Sequence, residues 1–200
     1  MSACIEDFFK RRRSYYALNR EISVNEEDIK KLVDFTVICT PSAFNSQSSR
    51  LVLLMGDSHE RFWDIVCEKI SRIISHKAFE KSRQKIQTSF ANGYGTVLFF
   101  EDTNVIEDLK KSYPLYKDAF PIYSEHTSAM HQLVLWLLFS DIHIGASLQH
   151  YGDLVEEDVR NEFSLPSSWH LVAQMPFGNP VDTPSEKSIM PISERVRVFG

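Results

Sequence analysis

No stretch of this 200-residue chain is apolar for long enough to cross a membrane. The longest purely apolar run, LVLWLLF from Leu133 to Phe139, falls far short of the roughly 20 residues a spanning helix needs. It predicts a buried helix segment instead. Export is not expected either, because MSACIEDFFKRRR places acidic residues before any apolar stretch and basic ones after it, the reverse of a secretory signal. Cysteine is scarce: Cys4, Cys39 and Cys67 are widely spread and fit neither a disulfide framework nor a zinc-ligand spacing. They read as reduced thiols of a cytoplasmic protein, with core filling ranked above nucleophilic chemistry.

Positive charge is not in excess either. A formal net charge of -5 opposes binding to nucleic acid or an anionic membrane surface as the main activity. A small ligand fits the balance better. No Gly/Ser/Pro-rich linker, internal repeat or low-complexity tract divides the chain, so residues 1–200 are expected to form one domain. No glycine-rich phosphate loop is present, since GYG and GAS lack the spacing of a dinucleotide fingerprint. The histidines are scattered, and His126 and His131 stand five apart on a predicted helix, the wrong spacing for a shared metal. No metal site is expected. No Ser-His-Asp or Cys-His constellation points to covalent catalysis.

What the sequence does hold is material for a core: 43% apolar residues, including 14 Phe, against 24% charged. CIEDFFKRR and SVNEEDIKKLVDFTVI read as helices, the second opened by Ser23 and Glu26 in capping-box spacing. RLVLLMG, GTVLFFED and WHLVAQMPFG read as buried strands. The stretch from Asp57 to Phe90 is strongly helical, with an apolar stripe of Phe62, Ile65, Val66, Ile70, Ile73 and Ile74. SEHTSAMHQLVLWLLFSDIHIGAS predicts a central helix, and the chain beyond Asn179 is broken by prolines. This order is α+β and not a regular βαβ alternation.

Two polar clusters exceed what packing needs. KRRRSYYAL, from Lys10, ends the first helix with four cations and Ser14; it is either a solvated helix end or an anion grip, since adjacent cations repel and a phosphate would relieve them. TPSAFNSQSSR, from Thr40, sets hydroxyls, amides and an arginine around Phe44, more than a turn between helix and strand requires. Alone, it reads as an Asn/Ser-rich turn.

Together, RRRSYYAL, PSAFNSQSSR, GTVLFFED, GASLQHY and PFGNPVDTPSEK resemble the FMN-dependent nitroreductase family, in particular its short subfamily of fungi and lactic acid bacteria. The resemblance spans nearly the whole chain. It implies an α+β homodimer, with a central, mostly antiparallel sheet flanked by helices and a C-terminal extension reaching the partner subunit, and with FMN at the subunit interface. By the same resemblance Arg12 and Ser14, with Arg13 beside them, contact the phosphate and ribityl chain. Pro41 and Ser42 reach the flavin from the partner, and Asn45 and Gln47 lie near the ribityl and pyrimidine edge. Leu148, Gln149 and His150 present backbone N–H groups to flavin N5 and O4. Lys187 completes the phosphate site, with Arg195 or Arg197 as substitutes. Tyr16 replaces a basic residue near N1 and O2 of larger relatives, and Ser48-Ser49-Arg50 replaces a Pro-aromatic continuation, leaving Arg50 or Arg13 to supply the charge.

The implied activity is hydride transfer from NAD(P)H through flavin N5 to a nitroaromatic or quinone-like acceptor, in ping-pong order, in stress response or detoxification. The side chains bind and the flavin reacts. Among Phe44, Tyr94, Phe120, Tyr123, Trp136 and Tyr151, most are expected in the core and one or two against the acceptor. Two other readings stand beside this one. A flavin-binding redox sensor or store would keep the same binding residues, and a basic-patch module for RNA or membrane surfaces would use KRRR as its contact.

Overall fold

A computed structural model describes residues 3–200, with side chains from Ile5 onward. The side chain of Cys4 lies outside the described residues. In chain order the elements are α1 (Ala3–Arg11), β1 (Leu18–Asn19), α2 (Glu26–Cys39), β2 (Ser49–Met55), α3 (Gly56–Ile73), α4 (His76–Lys85) and β3 (Gly95–Asp102). Then follow α5 (Thr103–Ser112), α6 (Phe120–Asp141), β4 (Gly145–Ala146), α7 (Gly152–Glu162), β5 (Trp169–Pro180) and α8 (Ile192–Arg195). The strands form one antiparallel sheet in the order β1-β5-β3-β2, and β4 also pairs with β5.

The fold is α+β, as the sequence predicts, because β3 is buried on both faces and must be covered twice. Leu98 and Phe100 face a core built with α3 and α7, where Phe62, Trp63, Val66, Val155 and Val159 pack. Val97 and Phe99 face a second core under α2 and α6, with Ile29, Val33, Leu135 and Phe139. Side chains alternate across a strand, so this two-sided burial reads as an unbroken apolar run. Strand β5 carries one extra residue: the register passes from Phe99↔Ala173 to Phe100↔Leu171, skipping Val172. The bulge reverses the faces, turning Leu171 to the first core while Ala173, Met175 and Phe177 face the second.

Several boundaries differ from those read in the sequence. Helix α2 is capped by Asn25, whose side chain accepts from Asp28 N at 2.9 Å, and not by Ser23 with Glu26. The predicted helix from Asp57 to Phe90 breaks at Ile74, which is extended (φ -121°, ψ 161°), resumes as α4 and ends in a π turn over Ile86–Phe90. Ile73, at the break, is 65% exposed and leaves the apolar stripe. Helix α5 follows β3 without a loop, capped by Asp102, and α6 begins at Phe120 with Pro121 in its first turn. Cys39 is exposed, so it fills no core, whereas Cys67 packs against the first core and burial raises its thiol pKa.

Two buried polar groups tie the sheet to its surroundings. His59 on α3 bonds Thr96 Oγ1 through Nδ1 at 2.9 Å and Ala91 O through Nε2 at 3.2 Å. A carbonyl only accepts, so Nε2 carries the proton and Thr96 donates to Nδ1 while accepting from Trp63 Nε1 at 3.0 Å. Burial, opposed by the bond to Ala91, lowers the His59 pKa to about 4. At the start of β2, Ser48 and Ser49 donate to opposite oxygens of Glu101, at 2.6 and 2.5 Å, and this carboxylate is only 1% exposed.

These groups set two expected outcomes. A depressed His59 pKa contributes stability that is complete above about pH 6.5 and is lost as pH falls toward 4, by roughly 3 kcal/mol. Urea unfolding from pH 7 to 4 should show that slope in wild type and a shallower one in His59→Gln; equal slopes would assign the effect to carboxylates. Glu101→Ala removes the short acceptor of two buried hydroxyls and leaves them only the longer contacts of Ser48 with Ser46 at 3.5 Å and of Ser49 with His131 at 3.4 Å, a loss of about 1 to 3 kcal/mol each at most. Its urea midpoint should fall well below that of wild type, and an unchanged midpoint would remove Glu101 as the anchor of this corner.

Candidate functional site

The four cations from Lys10 to Arg13 do not behave alike. Lys10 pairs with Glu6 at 3.5 Å and Arg11 with Asp141 at 2.9 Å, both at the surface. Those two fit the solvated helix end. Beyond Arg11 the helix stops, and the chain turns so that Arg12, Arg13 and Ser14 face a cleft of about 860 Å³. A parallel bridge between Ser14 and Ala146, with Tyr15 N donating to Ala146 O at 3.0 Å, fixes the turn.

Three other segments complete the cleft. Helix α6 contributes Gln132, Leu133 and Trp136, the chain after β4 contributes Leu148, and the segment from Asp182 to Lys187 closes one side. This last segment is held by Arg13, whose Nη2 donates to Ser185 O at 2.5 Å. Arg12 has no carboxylate partner among the described residues; its guanidinium lies 4.3 Å from the centroid of the Trp136 ring. Burial, then the charge of Arg13, holds the Arg12 pKa below its ordinary value. An anion in the cleft would reverse both effects, by pairing with the charge and relieving the repulsion.

The strand edge near Leu148 offers a second kind of contact. Ser147 N donates to Pro176 O, and Gln149 exchanges both backbone bonds with Gln174, at 2.8 and 2.9 Å. Residues 147 and 149 therefore point their backbone toward β5. By the alternation of an extended chain, Leu148 and His150 point theirs away, and their N–H groups have no partner among the described residues. The N–H of Gln149, which the resemblance offers to a ligand, is already used. The N–H groups of Leu148 and His150 are not engaged by the chain among the described residues.

Of the residues read from the sequence, Arg12, Arg13, Ser14, Leu148 and Lys187 meet in the cleft, and so does Tyr16. His150 lines an adjoining cavity of about 380 Å³ that shares Ala129 and Gln132 with it. Pro41, Ser42, Asn45 and Gln47 do not line the cleft of their own chain, nor does Arg195, which is exposed on α8. Arg50 cannot supply a free charge: it pairs with Asp102 at 3.1 Å and donates to Gln47 O at 2.6 Å. The segment before it is left-handed at Phe44, Asn45 and Gln47, with φ of 55°, 51° and 50°. Ser42 Oγ accepts from Gln47 N, closing the turn at 3.0 Å. Such strain persists only when neighbours over-determine it, and it clusters at functional positions. The turn also presents Phe44 outward against Tyr113, Tyr116 and Phe120, with ring centroids 5.0 to 5.6 Å apart.

Gln132 and Leu133 were not read from the sequence as cleft residues, and Trp136 was named there only as one of six aromatics of which one or two would face the acceptor. Leu133 and Trp136 sit in the apolar run of α6, where one wall-forming residue has the same signature as its buried neighbours, and Gln132 directly precedes that run.

A family model described as Nitroreductase family matches residues 9–179. The Saccharomyces cerevisiae protein HBN1 is 34% identical over 191 residues, covering 94% of this chain and 93% of its own. FRM2, named a nitroreductase from the same yeast, is 34% identical over 181 residues, with coverages of 90% and 89%. The structure of nitroreductase CinD from Lactococcus lactis in complex with nicotinic acid superposes with a TM-score of 0.90 at 36% identity, covering 98% of this chain and all of that one. CinD in complex with 4-nitrophenol gives 0.87 at 34% identity, with coverages of 98% and 100%. With the family model, the relatives and the fold in agreement over nearly the full length, the chain belongs to the nitroreductase family and is an oxidoreductase of that family.

Proposed function

We propose that the cleft binds FMN and that the protein passes reducing equivalents from NADH or NADPH to a nitroaromatic or quinone-like acceptor, as a homodimer in the cytoplasm. The observation that carries this reading is the convergence of Arg12 and Lys187, neither with a carboxylate partner among the described residues, on a cleft that Arg13 and Ser14 also line. Such a set suits a phosphate: forked arginine donors, a hydroxyl and an ammonium. The fit extends to a flat ring system rich in acceptors. Leu133, Trp136 and Leu148 form an apolar wall, and the unengaged N–H groups of Leu148, in the cleft, and of His150, beside the adjoining cavity, support donation to a ring edge.

Bound FMN supplies the two-electron chemistry. The chain's own residues then hold and orient: cations grip one end, backbone donors fix the other, and α6 shields one side from water. No side chain is required as nucleophile or base, and an opening shared by donor and acceptor in turn makes the order ping-pong. CinD's complexes with nicotinic acid and with 4-nitrophenol support a site that admits small planar aromatics. A homodimer is favoured by the tail, where Ile189, Met190, Ile192, Val198 and Phe199 are exposed, the last at 92%. It would also give the Pro41–Gln47 turn, which misses its own cleft, a partner cleft to reach.

The direct test is the absorbance of the purified protein before and after nicotinamide. A yellow protein that bleaches anaerobically with NADH or NADPH and reoxidises with a nitroarene or quinone supports an enzyme. One that stays yellow is a flavin store or sensor, and a colourless one that cannot be loaded defeats the proposal. Arg12→Ala should cost about 1.5 to 3 kcal/mol of FMN affinity, the range for a hydrogen bond to a charged group, with riboflavin affinity nearly unchanged. Lys187→Ala should behave alike. Equal FMN and riboflavin affinities in wild type would show that no phosphate grip exists.

A further inference from the structure

Among the described residues, Arg12 meets an aromatic face and no carboxylate or carbonyl, whereas Arg11, 5.9 Å from the Phe8 ring centroid, also pairs with Asp141, and Lys10 and Arg13 bond a carboxylate and a carbonyl. An unpaired arginine beside another arginine should fan into solvent, since its side chain has much rotamer freedom to lose and a like charge to avoid. Instead the guanidinium is half-buried over the indole of Trp136, at 4.3 Å from the ring centroid. The indole is itself fixed, because Trp136 packs against the second core and its neighbours on α6, Leu135 and Phe139, are fully buried there.

The identity of this residue is the second observation. The Trp136 Nε1–H is buried without a hydrogen-bond partner among the described residues. A leucine or phenylalanine, like the residues around it in LVLWLLF, would fill the same wall without leaving a donor unpaired. What an indole adds is the strongest cation-attracting face of any side chain. Stacking also leaves the in-plane N–H donors of the guanidinium free to bond a ligand.

We propose that Trp136 is a positioning residue: its face holds the Arg12 guanidinium in the cleft before a ligand arrives, so that a phosphate meets an arginine already in place. This rests on the phosphate reading of the cleft given above. It predicts that Trp136 serves the phosphate selectively, although it also forms part of the apolar wall.

The test uses the full-length protein stripped of flavin, titrated with FMN and with riboflavin at low salt. Trp136→Leu should lower FMN affinity by about threefold to thirtyfold, and riboflavin affinity by less than twofold. Trp136→Phe, which keeps a weaker face and the packing, should fall between and covers the case in which the leucine variant folds poorly. In an Arg12→Ala background, Trp136→Leu should cause no further loss of preference for FMN over riboflavin. Equal losses for both ligands, or an unchanged preference in both variants, would overturn the assignment while leaving the phosphate grip intact. A wild type without preference would instead bring down the phosphate reading itself, and this assignment with it.

Discussion

The pairing of strand β5 along its C-terminal half is the constraint on which the cleft depends. Pro180 and Asn179 pair with Leu18 and Asn19, Gly178 and Phe177 with Gly145 and Ala146, and Gln174 with Gln149. One strand therefore places the chain after Arg12–Ser14, the donor edge at Leu148 and His150, and the start of the segment that carries Lys187. Two backbones press on it closely enough that a Cβ at Gly178 would lie 2.5 Å from Asn19 O. That position accepts only glycine without displacing β1. The bulge at Val172 belongs to the same constraint, because it lets one strand serve the first core at Leu171 and the second at Met175 and Phe177.

How much of this was legible follows from the range of each signal. Strand β3 was readable because burial on both faces demands a continuous apolar run, and both of its ends fall where that run ends; β2 and β5 were read from similar runs, but β2 is only partly buried and occupies Ser49–Met55, and β5 continues two residues past its run to Pro180. The strands β1 and β4, of two residues each, were not, since so short a pairing is imposed by the neighbouring backbone and leaves no pattern in side chains. The break at Ile74 was hidden by apolar residues on both sides of it, and periodicity does not register a local change of φ and ψ. Helix α5 was hidden by its lack of a loop: Asp102 ends the strand and caps the helix at once.

In the candidate site, charge was legible and its disposition was not. Composition marks Lys10 to Arg13 as one block, but helix geometry divides it, sending Lys10 and Arg11 to Glu6 and Asp141 and the next two cations inward. Arg50 shows the converse. Its type and place suited a ligand contact, and a carboxylate across the strand pair had already engaged it. Gln149 was misread for a similar reason, since an extended segment can offer only alternate N–H groups outward and the parity is set by pairing with β5.

The chain treats its buried anion and its buried cation in opposite ways, and the contrast separates scaffold from site. Glu101 is pushed toward its neutral form by burial, yet two serine hydroxyls satisfy its oxygens within the fold, so it needs nothing from outside. That closed arrangement anchors the strained turn at Phe44 to Gln47 through the residues that follow it directly. Arg12 is also buried in part, but a π face attracts its charge without consuming a single N–H donor. Its hydrogen-bonding capacity is left facing a cleft with Arg13 beside it. A fold selected for stability alone would pair or expose such a cation; half-buried, stacked and unsaturated, Arg12 is suited to the anion proposed for the cleft.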